Sequence, residues 1–228
     1  MSTLPPLPPA SPPPAAGSGK PVDAAKRILP PNPKAAAFVA LGFVAVLYLV
    51  ELLDVILPGK FTDGGILSRD ASSLDGILWA PLLHANWSHL FSNTVPVLVF
   101  SFLAMAAGIG RFAVVTAIIW LVSGLGVWLV GPSNAYTVGA SGLAFGWLAY
   151  LLVRGLFHRS LAQIAVAVVL LGIWSGMLWG LLPGNPGISW QGHLFGALAG
   201  ILAAWLTSRG ERVKAPKTEP TTPGNLGM

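Results

Sequence analysis

Ser141 stands in the run Gly139, Ala140, Ser141, Gly142, a hydroxyl residue among small neighbours that let another backbone come close. A serine hydroxyl is a weak nucleophile near neutral pH, and it needs a base within hydrogen-bond reach to take its proton as it attacks a carbonyl. His193, directly after Gly192 at the start of the last apolar run, can be that base. The tetrahedral intermediate of such an attack needs hydrogen-bond donors, and residues 84–93 (HANWSHLFSN) offer them. His89 and Asn93, four apart, share one face of a helix. His84, five residues before His89, would fall about 140° away on that helix and is better placed in the preceding loop. The acids Glu51 and Asp54 lie on a different apolar stretch, so the expectation is a Ser–His dyad without an orienting carboxylate. No HExxH run is present for a metal-dependent protease, and with no cysteine there is neither a thiolate nucleophile nor a Cys-ligated zinc, so no metal or cofactor is expected.

These residues sit in a chain of 228, of which 54% are hydrophobic and 9% charged, with a mean hydropathy of +0.71. That is far above an ordinary soluble domain and implies an all-α polytopic membrane protein. Six apolar runs, 35–57, 89–109, 112–130, 139–153, 161–182 and 192–208, are read as spans. Arg111 and Arg154 mark the ends of the second and fourth. Residues 58–88 are too long for a hairpin and too apolar for a free linker, and short helices at the membrane interface are expected there. Residues 1–34 hold eleven prolines and are read as a disordered Pro-rich cytoplasmic tail without the apolar core of a signal peptide; 209–228 are read as a second disordered tail.

The net charge of +5 does not argue for nucleic acid, because the basic residues fall at the ends of the spans. Eleven of the thirteen Lys and Arg lie on one side of the six-span topology, leaving Lys60 and Arg69 on the other. By the positive-inside rule both termini are cytoplasmic. At helical rise, Ser141 lies roughly 20 Å from the level of Arg154, His193 about 24 Å from Arg209 and Asn93 about 27 Å from Arg111, so all three share an outer-leaflet layer. Gly142 and Gly146 on the fourth span, and Gly196 and Gly200 on the sixth, form two small-xxx-small faces that let these helices touch. Phe145, one turn from Ser141, would then lie beneath the His193 ring.

Taken together, these motifs resemble the rhomboid family of intramembrane serine proteases. Residues 139–142 match the family's GxSG motif with Ser141 as nucleophile. Residues 193–200 match its HxxGxxxG helix with His193 as base, and His84, His89 and Asn93 match its second-helix signature. The resemblance covers roughly 35–208 and implies a six-helix rhomboid-like bundle. It also implies an oxyanion site from His89, Asn93 and the Ser141 N–H, and an aromatic place under the histidine for Phe145. Two departures stand out. The Trp-Arg pair many members carry in the first outer loop is not evident, since Trp79 has no adjacent Arg and Arg69 lies in Leu67, Ser68, Arg69. Gly192 precedes His193 where many members have Ala.

The resemblance implies a single-pass membrane protein as substrate, its helix unwound near the outer end before Ser141 attacks. A bacterial plasma membrane is the expected location, since the Pro-rich start is unlike an organelle transit sequence. Intact helix carbonyls are already hydrogen-bonded and covered, so unwinding must come first. The fifth span and residues 183–187 form a candidate gate for lateral access. Two rivals stand beside this reading: a non-catalytic binder of membrane clients in the same groove, and a small-solute transporter. A transporter predicts coupling acids near the midplane, and the second to sixth spans contain no Asp or Glu.

Overall fold

A computed structural model describes residues 24–185 and 187–214, with side chains to residue 209. The Pro-rich segment 1–23 and the end of the chain from 215, both read as tails, lie outside the described residues. Six helices of fourteen residues or more make up the body: α1 (Pro33–Ile56), α3 (Trp87–Ala104), α4 (Ile109–Val130), α5 (Ser141–His158), α6 (Leu161–Trp174) and α7 (Trp190–Lys214). Among the described residues, four stretches are long and apolar enough to cross a membrane: Pro33–Ile56, Trp87–Ala107, Ile109–Val130 and Leu161–Leu181. α5 falls outside that set for a physical reason. Every residue from Leu143 to Leu151 is buried, among α3, α4, α6 and α7, so its surface meets protein on all sides and needs no lipid-facing apolar coat.

Local sequence explains where the helices start and stop. Asn32 caps α1 by accepting from the Ala35 N–H at 3.1 Å, with Pro33 at the first position, where its missing N–H costs nothing. Asn86 caps α3 through the His89 N–H at 2.9 Å, which fixes the start of the helix that carries His89 and Asn93. The second and third expected spans are divided differently from the reading of the sequence. α3 ends in a 3-10 turn, Met105–Ala107, and Gly108, at φ +100, breaks the chain. Arg111 therefore sits in the first turn of α4 rather than ending the preceding span. Likewise Arg154 does not end the fourth span: α5 runs on to His158 with Arg154 2% exposed. α7 continues past Arg209 to Lys214, into the stretch read as a disordered tail. Nor is residue 24 onward a free tail, since Ala24–Lys26 form a 3-10 turn with Ala25 buried.

The connection after α1 does fold into short helices: Phe61–Gly64, Ala71–Ser73, α2 (Gly76–Trp79) and Ala80–Leu82. Glu51, expected at the interface, is instead buried, while Asp54 accepts from the Phe61 N–H at 2.6 Å and ties the loop to α1. The loop is clamped to the α4–α5 connection by a two-way bridge between Ile66 and Thr137. Arg69, at φ 63, donates to the carbonyls of Leu129 and Gly131 at the end of α4, both at 3.2 Å, and the Trp128 indole donates to the Asp70 carbonyl at 2.9 Å. Arg69 and Trp128 thus anchor this loop from separate elements, without an adjacent Trp-Arg pair.

Candidate active site

Ser141 is the first residue of α5 and His193 lies in the first turn of α7. The two helices come into backbone contact through the glycines. A Cβ on Gly196 would collide with the Gly142 carbonyl oxygen, and one on Gly200 with that of Gly146. Small residues at these four positions are what bring the serine and the histidine together across 52 residues of sequence. The Ser141 Oγ and the His193 Nε2 are 2.8 Å apart.

The other ring nitrogen decides the tautomer. His193 Nδ1 is 2.9 Å from the Gly180 carbonyl oxygen, and a carbonyl can only accept, so Nδ1 carries the hydrogen and Nε2 is free to accept from the serine hydroxyl. A backbone carbonyl thereby does the orienting that an acid would otherwise do. The Phe145 ring is stacked on the imidazole, centroids 4.1 Å apart and planes 11° apart, which holds the ring plane in line with Ser141. Gly180 is itself needed for the fit, because a Cβ there would lie 2.9 Å from His193 Nδ1 and 3.1 Å from the tip of Phe145.

The approach to Ser141 is equally constrained. Gly139 adopts φ +123, a backbone conformation that side chains disfavour, and a Cβ there would stand 2.6 Å from the His89 ring. Its N–H donates to the Ala80 carbonyl at 2.8 Å, so the loop between α1 and α3 holds the segment that delivers the serine. Gly142 faces the Ser123 hydroxyl of α4, which donates at 3.0 Å to the Gly192 carbonyl and fixes the start of α7. A pocket opens beside Ser141, lined by Trp120, Ser123, Val127, Thr137, Val138 and Ser189 among others.

His89 is placed against Gly139, two residues before the serine. Asn93 is buried, and its amide donates to the His89 carbonyl at 3.0 Å. His84 lies in the loop before α3, buried and edge-on to the His89 ring with centroids 5.1 Å apart. Of the ten residues singled out from the sequence, His89 and Asn93 lie on α3, Ser141, Gly142 and Phe145 on α5, and His193, Gly196 and Gly200 on α7, while His84 and Gly139 lie in the connections just before α3 and α5. The sequence reading missed Gly180, Ser123 and the Ala80 carbonyl. Two of these act through backbone oxygen, which carries no side-chain signal. Ser123 had a faint one, a hydroxyl next to Gly124 and three residues before Gly126 in an otherwise apolar helix.

Fold and site together define a polytopic helical membrane protein with a serine–histidine pair held between two closely packed helices. The chain belongs to the rhomboid family: the profile of the Rhomboid domain matches residues 72–210. An uncharacterized protein of Mycobacterium tuberculosis is 49% identical over 180 residues, 75% of each chain. Rhomboid-like protein 11, chloroplastic, of Arabidopsis thaliana is 32% identical over 152 residues, 57% of this chain and 51% of that one. The putative rhomboid protease YdcA of Bacillus subtilis is 30% identical over 127 residues, 55% of this chain and 63% of its own.

Proposed function

We propose that this protein is an intramembrane serine endopeptidase that cleaves transmembrane helices near the outer leaflet, with Ser141 as nucleophile and His193 as general base. The observation that carries the reading is the 2.8 Å contact between Ser141 Oγ and a His193 whose tautomer is set by Gly180. Ser141 transfers its hydroxyl proton to Nε2 as Oγ bonds to the substrate carbonyl carbon. Negative charge then develops on the carbonyl oxygen beside the N-terminus of α5, whose first N–H groups have no partner within the helix. His89, Asn93 and the Ser141 N–H are the donors assigned to that oxyanion, and His84 supports His89 from the edge of its ring.

The imidazolium formed in this step keeps Nδ1–H on the Gly180 carbonyl and lies on the face of Phe145, so its charge is met by an oxygen and a π-cloud. Nε2–H protonates the leaving amide nitrogen, and the peptide bond breaks to leave an ester on Ser141. Water then attacks the ester with His193 again as base, releasing the second product and restoring the hydroxyl. These steps need no cofactor or metal. The substrate is a single-pass membrane protein met within the bilayer; six spans with both termini cytoplasmic place the pair toward the outer face, in a bacterial plasma membrane. α6 and the turn after it are the gate for lateral access.

The test is cleavage of a reconstituted transmembrane-helix substrate by wild type, Ser141→Ala and His193→Ala. Cleavage by wild type and its loss by about 1000-fold or more in both folded variants supports the dyad. Substrate that is bound but left intact by wild type refutes catalysis in favour of client binding.

A further inference from the structure

At the end of the bundle away from Ser141, the chain before α1 is tucked against α5 and α6. The Gln163 amide donates to the carbonyls of Ala25 and Arg27 at 2.8 and 3.1 Å. The Arg154 guanidinium donates to the same two carbonyls at 3.4 and 2.9 Å. Both side chains are buried, at 3% and 2% exposed, and lie on different helices. A cation inside a helical bundle is costly unless its hydrogen bonds are met. Here a short piece of the N-terminal chain supplies acceptors to both helices at once.

What this strap holds is the least embedded helix of the bundle. Gln163, Ala167 and Leu170 are the fully buried residues of α6, one stripe confined to its first ten positions. The opposite face, Leu161, Val168, Val169, Leu171 and Ile173, is exposed along the whole helix, and past Leu170 the contact is Trp174, which touches α3 edge-on at Phe100 with centroids 5.1 Å apart. The element then passes as the 3-10 segment Ser175–Leu181 to Gly180, the residue on His193 Nδ1. α6 is therefore fastened at its foot and lightly held at its top, where it borders the site. We infer that residues 25–27 form a strap that, through Gln163 and Arg154, sets the tilt of α6 and so governs how readily a substrate helix reaches Ser141. Gln163 and Arg154 are thus positioning residues. This inference rests on the proposed protease reading for its consequence, though not for its geometry.

The test uses the full chain, which has no native cysteine, so spin labels at Val95→Cys on α3 and Trp179→Cys beyond α6 report one distance across the opening. Gln163→Ala and Arg154→Lys are introduced separately, each leaving the other side chain in place to hold the strap and the fold. In both, the label distance distribution is expected to broaden toward longer values. kcat/KM for a transmembrane-helix substrate rises roughly two- to tenfold, as weakening the hydrogen bonds that hold the closed state by the net worth of about one of them allows. Labelling of Ser141 by a small fluorophosphonate, which does not need the helix-sized opening, stays within about twofold of wild type. An unchanged distance distribution in both variants overturns the strap whatever the cleavage rates do. So does a loss of fluorophosphonate labelling in step with the distance change, which would mean general loosening. If wild type cleaves no helix at all, the protease reading fails, while the label distances still decide whether the strap sets α6.

Discussion

Gly196→Ala puts the contact between α5 and α7 under direct strain. The added methyl would overlap the Gly142 carbonyl oxygen and stand 3.0 Å from its carbon and 3.3 Å from its Cα. These are backbone atoms of a buried helix, so no side chain can swing aside. A carbon–oxygen contact of this kind settles at about 3.3–3.6 Å, and α7 must retreat from α5 by about 1 Å to reach it. His193 is one turn from Gly196, and Ser141 adjoins Gly142. The same retreat therefore stretches the 2.8 Å Oγ–Nε2 contact toward about 3.5 Å, beyond useful hydrogen-bonding range. A misplacement of about 1 Å commonly costs on the order of 100-fold in rate, and the overpacking itself costs about 1–3 kcal/mol of stability. The assay pairs initial rates of helix cleavage with thermal unfolding in the same detergent. Gly42→Ala is the control, because nothing lies within 4 Å of a Cβ on that α1 glycine, and it should keep full activity. If Gly196→Ala keeps more than about a third of wild-type kcat/KM, the claim that glycine contact sets the Ser–His distance is wrong.

Phe145→Leu removes the ring stacked on His193 and should lower kcat about three- to tenfold with KM unchanged, because the imidazolium it supports exists only during the reaction; a raised KM at constant kcat would point to substrate binding instead. In the loop between α1 and α3, hydrogen bonds from the Ser72 side chain and N–H hold the Asp70 carboxyl below its usual pKa. A depressed carboxylate stabilises the fold above its unfolded pKa, about 3.9, and that stabilisation is lost as pH falls through the folded value. Thermal unfolding should show wild type above Asp70→Asn at neutral pH, the gap closing as pH drops below about 4; a gap that is the same at pH 3 and pH 7 would refute the assignment.

Much of this site was legible before any coordinates. Gly142, Gly146, Gly196 and Gly200 announced two faces able to approach, and the spacing of His89 and Asn93 put them on one helix surface, because helical periodicity and the need for small residues at close contacts are local properties of sequence. The basic residues were read less well. Arg111 and Arg154 looked like boundary markers since charge avoids lipid, but Arg154 is buried and donates to carbonyls more than a hundred residues away. No local pattern encodes a partner that distant.

The sequence by itself determined that this is a helical membrane chain and which of its apolar runs carry Ser141, His193, His89 and Asn93, since composition and periodicity suffice for each; the meeting of Ser141 and His193 it supported only through the two glycine faces and the family resemblance. Tertiary structure alone decided how His193 is oriented, by a carbonyl at Gly180 that any residue type would also possess. It alone decided that the loop between α1 and α3 holds Gly139 through Ala80, and that residues 25–27 belong to the bundle rather than to a tail. The reason is the same in each case: backbone oxygens are identical along the chain, and only folding selects which of them a buried donor will meet.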